Sequence, residues 1–155
     1  MSDVLVVAVG SPDAGDDAAG PMIADAVARL GLSHVEVLLH EDPTDLPLLW
    51  RDRQRVVVVD AVRTGGVPGT VVRIEAASET ELPPSGSAGT HDFGLASAIG
   101  LSRALGTLPG RLSVVGVEGV SFAPGDPVSP AVVAAIPDAV GAVRLLVESS
   151  GEVDR

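Results

Sequence analysis

The 155-residue chain contains no cysteine, no lysine and no tyrosine. Without cysteine there is no thiol nucleophile, disulfide, thiolate-bound zinc or iron–sulfur cluster. Without lysine there is neither Schiff-base chemistry nor the phosphate-gripping lysine of a P-loop. Aromatic side chains are nearly absent too, with only Trp50, Phe93 and Phe122, so the core must be Val, Leu, Ile and Ala. The ten basic residues, all Arg, face 21 acidic ones, for a formal net charge of −11. Phosphate backbones and anionic bilayers call for a basic face, so neither nucleic acid nor a membrane is an expected partner. Met-Ser-Asp has no positive leader region, and the apolar run Val4–Val9 is strand-length rather than a signal or a span. A cytoplasmic location is expected, consistent with the lack of cysteine.

What the chain does have is an alternation of strands and helices. Asp3–Val9 is an almost unbroken Val/Leu run, the pattern of a parallel strand buried on both faces. After the loop Gly10–Asp17, a helix is predicted from Gly20-Pro21 to Gly31, with Met22, Ile23, Ala26, Val27 and Leu30 as its apolar stripe. His34–Leu39 reads as a second strand, Leu46–Arg51 as a short helix, and Arg55–Val59 as the most strand-like segment of all. Thr70–Ile74 and Arg111–Val117 read as further strands, and Glu75–Thr90 as a Pro/Ser/Gly-rich excursion. Helices are expected over Asp92–Leu105 and from Ser129-Pro130 onward, Ser129 acting as N-cap and Pro137 as a kink. The prediction is one α/β domain over residues 1–148 and a frayed polar tail at 149–155. Its architecture is a three-layer sandwich on a mostly parallel twisted sheet of about five strands.

In open α/β sheets, sites gather at the carboxyl ends of strands, where the strand order switches. Three features fall at such ends: the loop Gly10-Ser11-Pro12-Asp13-Ala14-Gly15-Asp16-Asp17, Asp60 after four valines, and His91 at the mouth of a helix. Brought together, two carboxylates and an imidazole form an O,O,N set. That set suits a borderline divalent metal such as Ni, Zn, Fe or Mn with open positions, or a general base beside an electrophile. Each residue also has a plainer use. Asp16 or Asp17 can cap the following helix, and His91 can bond backbone at a helix start. A charge at position 60 is harder to dismiss, because burying it without a partner is costly. His34 and His40, flanking the second strand without a partner at metal-ligand spacing, are read as structural or solvent-facing. No G-x-S-x-G elbow surrounds a serine, and the glycines at 10 and 15 do not make a dinucleotide fingerprint, so no organic cofactor is expected.

Taken in order, these residues resemble the maturation endopeptidases of nickel–iron hydrogenases. The likeness runs from about Val4 to Val147. It rests on Val9-Gly10-Ser11 through Asp16-Asp17-Ala18-Ala19-Gly20, on Val58-Val59-Asp60-Ala61-Val62 with Pro68-Gly69-Thr70, and on Thr90-His91-Asp92-Phe93-Gly94-Leu95. Val114-Val115-Gly116-Val117-Glu118-Gly119 and Val128-Ser129-Pro130 complete it. The resemblance implies an endopeptidase that trims the C-terminal extension of a hydrogenase large-subunit precursor after nickel insertion. It also implies a twisted sheet flanked by helices; separately, a monomer is expected. Its metal-binding and catalytic set maps onto Asp17, Asp60 and His91, which would meet Ni(II) carried by the substrate, with Zn or Cd able to stand in. Two departures stand out. Ala8 and Ser11 replace a Gly and the Asn of the opening G-x-G-N, and Glu41-Asp42-Pro43-Thr44 replaces a Gly-Gly-Thr-like turn bordering the substrate cleft. Gly10, Ser11, Asp16, Asp42 and Thr44 are therefore the expected cleft-loop residues.

Two competing readings use the same residues. A phospho-accepting receiver domain also has an acidic pair after its first strand and an Asp after its third, but it grips the phosphoryl group with a lysine, which this chain lacks. A different metal-dependent hydrolase, or a non-catalytic module on the same fold, is the other.

Overall fold

The computed structural model of the chain describes residues 3–40, 42–76 and 94–153. Among these residues five strands form one sheet: β1 (Val4–Val9), β2 (Val35–His40), β3 (Arg55–Val62), β4 (Val71–Glu75) and β5 (Arg111–Glu118). Their spatial order is β2-β1-β3-β5-β4. All neighbours are parallel except β4, which pairs antiparallel with β5 at the edge. Among the described residues four helices cover the sheet: α1 (Ala19–Arg29), α2 (Leu46–Trp50), α3 (Gly94–Leu105) and α4 (Pro130–Val153).

The unbroken apolar runs of β1 and β3 are explained by burial on both faces. Val4, Val6 and Ala8 point to one side and pack with Ile23 and Val27 of α1 and Val132, Val143 and Val147 of α4. Leu5, Val7 and Val9 point to the other, against Leu46 and Trp50 of α2 and Leu95 and Ile99 of α3. These are the three layers predicted. Trp50 is fully buried and keeps its indole N–H satisfied by Ser102 Oγ at 2.8 Å.

Three boundaries differ from the sequence prediction. β3 runs through Asp60 to Val62, because β5 continues beside it and pairs Asp60 with Gly116 and Val62 with Glu118. The first helix is preceded by a 3₁₀ turn, Gly15–Ala18. The α4 backbone stays helical through Val153, past Ser149 where the tail was expected to begin, and Pro137 lies inside it. By length and composition Pro130–Glu148 could cross a membrane, with mean hydropathy 1.7. Its apolar stripe of Val132, Ala139, Val143 and Val147 instead belongs to the core. The predicted excursion over Glu75–Thr90 and the start of the helix at Asp92 fall mostly outside the described residues.

A candidate active site at the carboxyl ends of β1 and β3

The strand order changes direction between β1 and β3, since β2 lies on one side of β1 and β3 on the other. A crevice at their carboxyl ends is where such a sheet binds ligands. The β1–β3 ladder ends at the pair Ala8–Val59, so Asp60 emerges just where β1 gives way to its loop. Asp60 is 3% exposed and takes a hydrogen bond from the Ala61 N–H at 2.8 Å. Burial pushes its pKa well above the usual carboxylate range, the Asp17 carboxylate pushes it further, and the Ala61 N–H offsets only part of this. Asp17 and Asp60, distant in sequence, are thus near enough for the charge of one to bear on the other.

Asp17 is also 3% exposed, and its Oδ2 accepts the Ser11 N–H at 2.8 Å. Gly10 has φ +126, and a Cβ there would lie 2.3 Å from the Asp17 carbonyl oxygen and 3.1 Å from Oδ1. The loop can therefore fold over Asp17 only with glycine at position 10. Asp16 and Asp17 both lie in the first turn of the 3₁₀ segment, where negative charge favours a helix N-terminus, while the N-cap positions Ala14 and Ala18 make no side-chain cap hydrogen bond.

Asp16 does not belong to the cleft as expected. It is 0% exposed, and its carboxylate accepts from the backbone N–H groups of Val120, Ser121 and Ser129 and from the Ser129 hydroxyl. Burial alone would raise its pKa, but these four donors together outweigh it and hold Asp16 below the ordinary value. Ser129, predicted as an N-cap, stands directly before α4 with its carbonyl accepting from the Val132 and Val133 N–H groups at 3.0 Å, and its hydroxyl donates to Asp16.

Beside Gly10 a cavity of about 420 Å³ opens, lined by Gly10, Pro12, Pro21, Leu39, His40, Asp42 and Asp45. Of the expected cleft residues, Gly10 and Asp42 face it. Thr44 supports the wall by donating its N–H (3.0 Å) and hydroxyl (2.7 Å) to Asp42 Oδ1, and Ser11 is engaged with Asp17 through its backbone. His40, set aside in the sequence, lines the cavity with its Nε2 3.2 Å from Asp45 Oδ2. The signal was the acidic residue five positions on, which the 3₁₀ turn Pro43–Asp45 swings back toward the strand end. His91 lies outside the described residues, and among those described no group of three His, Asp or Glu side chains stands ready to hold a metal.

The sequence model of the HycI hydrogenase maturation protease family matches residues 42–144. The chain belongs to the hydrogenase maturation protease family. No curated protein matches it in sequence. Among solved structures it is similar to the hydrogenase maturating endopeptidase HybD from E. coli, at 26% identity and TM-score 0.79 over 97% of this chain and 94% of that one. An endopeptidase from Escherichia coli solved in solution matches at 28% identity and TM-score 0.84, with the same coverage. A hydrogenase 2 maturation peptidase from Thaumarchaeota archaeon SCGC_AB-539-E09 matches at 26% identity and TM-score 0.64 over 92% of this chain and 95% of that one. This hydrogenase maturation protease is thus a peptide-bond hydrolase, and the receiver-domain reading falls. The family match contains Asp60 and His91 but begins after Asp17, which only the full-length structural likenesses embrace.

Proposed function

We propose that this maturation protease removes the C-terminal extension of a nickel–iron hydrogenase large-subunit precursor once nickel has been inserted, acting in the cytoplasm as a monomer. The observation that carries the site assignment is the buried pair Asp17 and Asp60, two carboxyl groups held close enough to oppose each other's ionisation where the strand order switches. Such a pair is unfavourable when both groups are ionised and is relieved by a divalent cation. The precursor's own nickel is that cation: it docks between Asp17, Asp60 and His91, so a precursor without nickel lacks a contact and is passed over. The tail then lies along the cavity beside Gly10. Water attacks the scissile carbonyl while one carboxylate takes its proton, and the same group returns that proton to the amide nitrogen as the C–N bond breaks, releasing the tail with a free amine and leaving the mature chain with a carboxylate. Ni(II), Zn(II) or Cd(II) added alone would occupy the same ligands.

The test is tail removal from nickel-loaded precursor by Asp17→Ala, Asp60→Ala and His91→Ala. Each is expected to lose most activity, roughly 10²-fold or more on the scale of a lost acid–base group. Full processing by all three would overturn the assignment.

A further inference from the structure

Asp16 takes no part in the chemistry above, yet its buried carboxylate accepts four hydrogen bonds. Its four donors all come from the loop between β5 and α4: Val120 N at 2.8 Å and Ser121 N at 3.0 Å on Oδ2, Ser129 N at 2.6 Å on Oδ1, and Ser129 Oγ at 2.7 Å on Oδ2. The Asp16 N–H in turn donates to the Ser121 carbonyl at 2.6 Å. A second tie joins the same two loops, from Gly125 N to the Asp13 carbonyl at 2.8 Å. On its far side the β5–α4 loop is held by Arg63, whose guanidinium lies 4.3 Å from the centre of the Phe122 ring, just beyond the end of β3.

The donor set fixes the residue type. A carboxylate is an acceptor at every lone pair, whereas an amide would turn its own NH₂ toward inward-pointing N–H groups. Asp16 and Asp17 are neighbours in one 3₁₀ turn, where successive side chains diverge by about a third of a rotation. With Asp16 held in the β5–α4 loop, Asp17 is turned the other way, toward Ser11 and Asp60.

We propose that Asp16 is the positioning residue of this protease: by locking the β1–α1 turn onto the β5–α4 loop it aims the Asp17 carboxylate at the substrate. The inference rests on the reading that Asp17 meets the nickel-loaded precursor. The test compares the full-length wild type with Asp16→Asn, Ser129→Ala, Ser129→Thr and Asp17→Ala, at a temperature where circular dichroism shows each variant folded. Both kcat and KM for tail removal are measured, together with the binding preference for nickel-loaded over nickel-free precursor. Asp16→Asn is expected to lower kcat by about 10- to 100-fold, the scale of a misplaced catalytic group, and to reduce the nickel preference toward that of Asp17→Ala. Ser129→Ala, losing one charged hydrogen bond, is expected to fall about fivefold, and Ser129→Thr to restore the wild-type values. The proposal is overturned if Asp17→Ala is inactive while folded Asp16→Asn keeps wild-type kcat, KM and nickel preference. If Asp16→Asn does not fold, full activity in Ser129→Ala, or failure of Ser129→Thr to rescue a defect, overturns it as well. Full activity in Asp17→Ala would instead remove the reading on which it depends.

Discussion

Asp60 sits in a buried strand with one backbone N–H and a second carboxylate for company. Its raised pKa marks a group that folding penalises and function retains. Asp60→Asn keeps the shape and the acceptor for Ala61 while removing the charge. It is expected to raise the thermal midpoint at neutral pH, by about 2–4 °C for each kcal/mol relieved in a chain of this size. Tail removal should fall by roughly 10²- to 10⁴-fold. Differential scanning calorimetry beside a cleavage assay checks both, and a lower midpoint would mean that Asp60 is not strained. Much of this was legible in advance: a carboxylate closing a run of four valines has no cheap structural use. Asp16 was misjudged for a reason that sequence cannot repair. Two adjacent aspartates look alike until a loop more than a hundred residues away claims one of them.

The elements themselves follow from their patterns: continuous Val runs made the inner parallel strands, and apolar stripes made the helices. The run of valines ends at Val59, and so does the strand read from it, yet the β5 register carries β3 to Val62. Gly20, in the first turn of α1, shows what a pattern cannot show. A Cβ there would lie 2.4 Å from the Val9 carbonyl oxygen and 2.9 Å from that of Val59, so the helix start rests directly on the ends of β1 and β3. Intrinsic propensity favours Ala over Gly in a helix by up to about 1 kcal/mol. The close approach to two backbone oxygens opposes that preference and wins. Gly20→Ala is expected to destabilise the fold by about 1–3 kcal/mol and to displace the Asp17 turn with it. Urea denaturation measures this directly, and a stabilised Gly20→Ala would show that α1 does not rest on the strand ends as described.

Over the whole molecule a net charge of −11 opposes compaction near neutral pH, and two internal aspartates bend the pH profile in opposite directions. Asp60 holds its proton more tightly in the folded state than in the unfolded one. Folding therefore takes up a proton between the ordinary aspartate value of 3.8 and the raised folded value, and stability rises as pH falls through that window. Asp16 binds its proton more weakly when folded. Its contribution is complete above 3.8 and is lost as pH drops below that value toward the lowered folded one. The thermal midpoint is accordingly expected to climb on acidification from neutral pH and then to collapse on the acid side of 3.8. Moderate salt should raise the neutral-pH midpoint by screening self-repulsion, and should do so less as acidic groups protonate. Asp60→Asn should flatten the rising limb while leaving the acid collapse in place. Asp16→Asn should lower the neutral plateau and soften the collapse. A midpoint that fell steadily from pH 7 downward in the wild type would mean that folding does not raise the proton affinity of Asp60, and that its burial beside Asp17 is not the strain described.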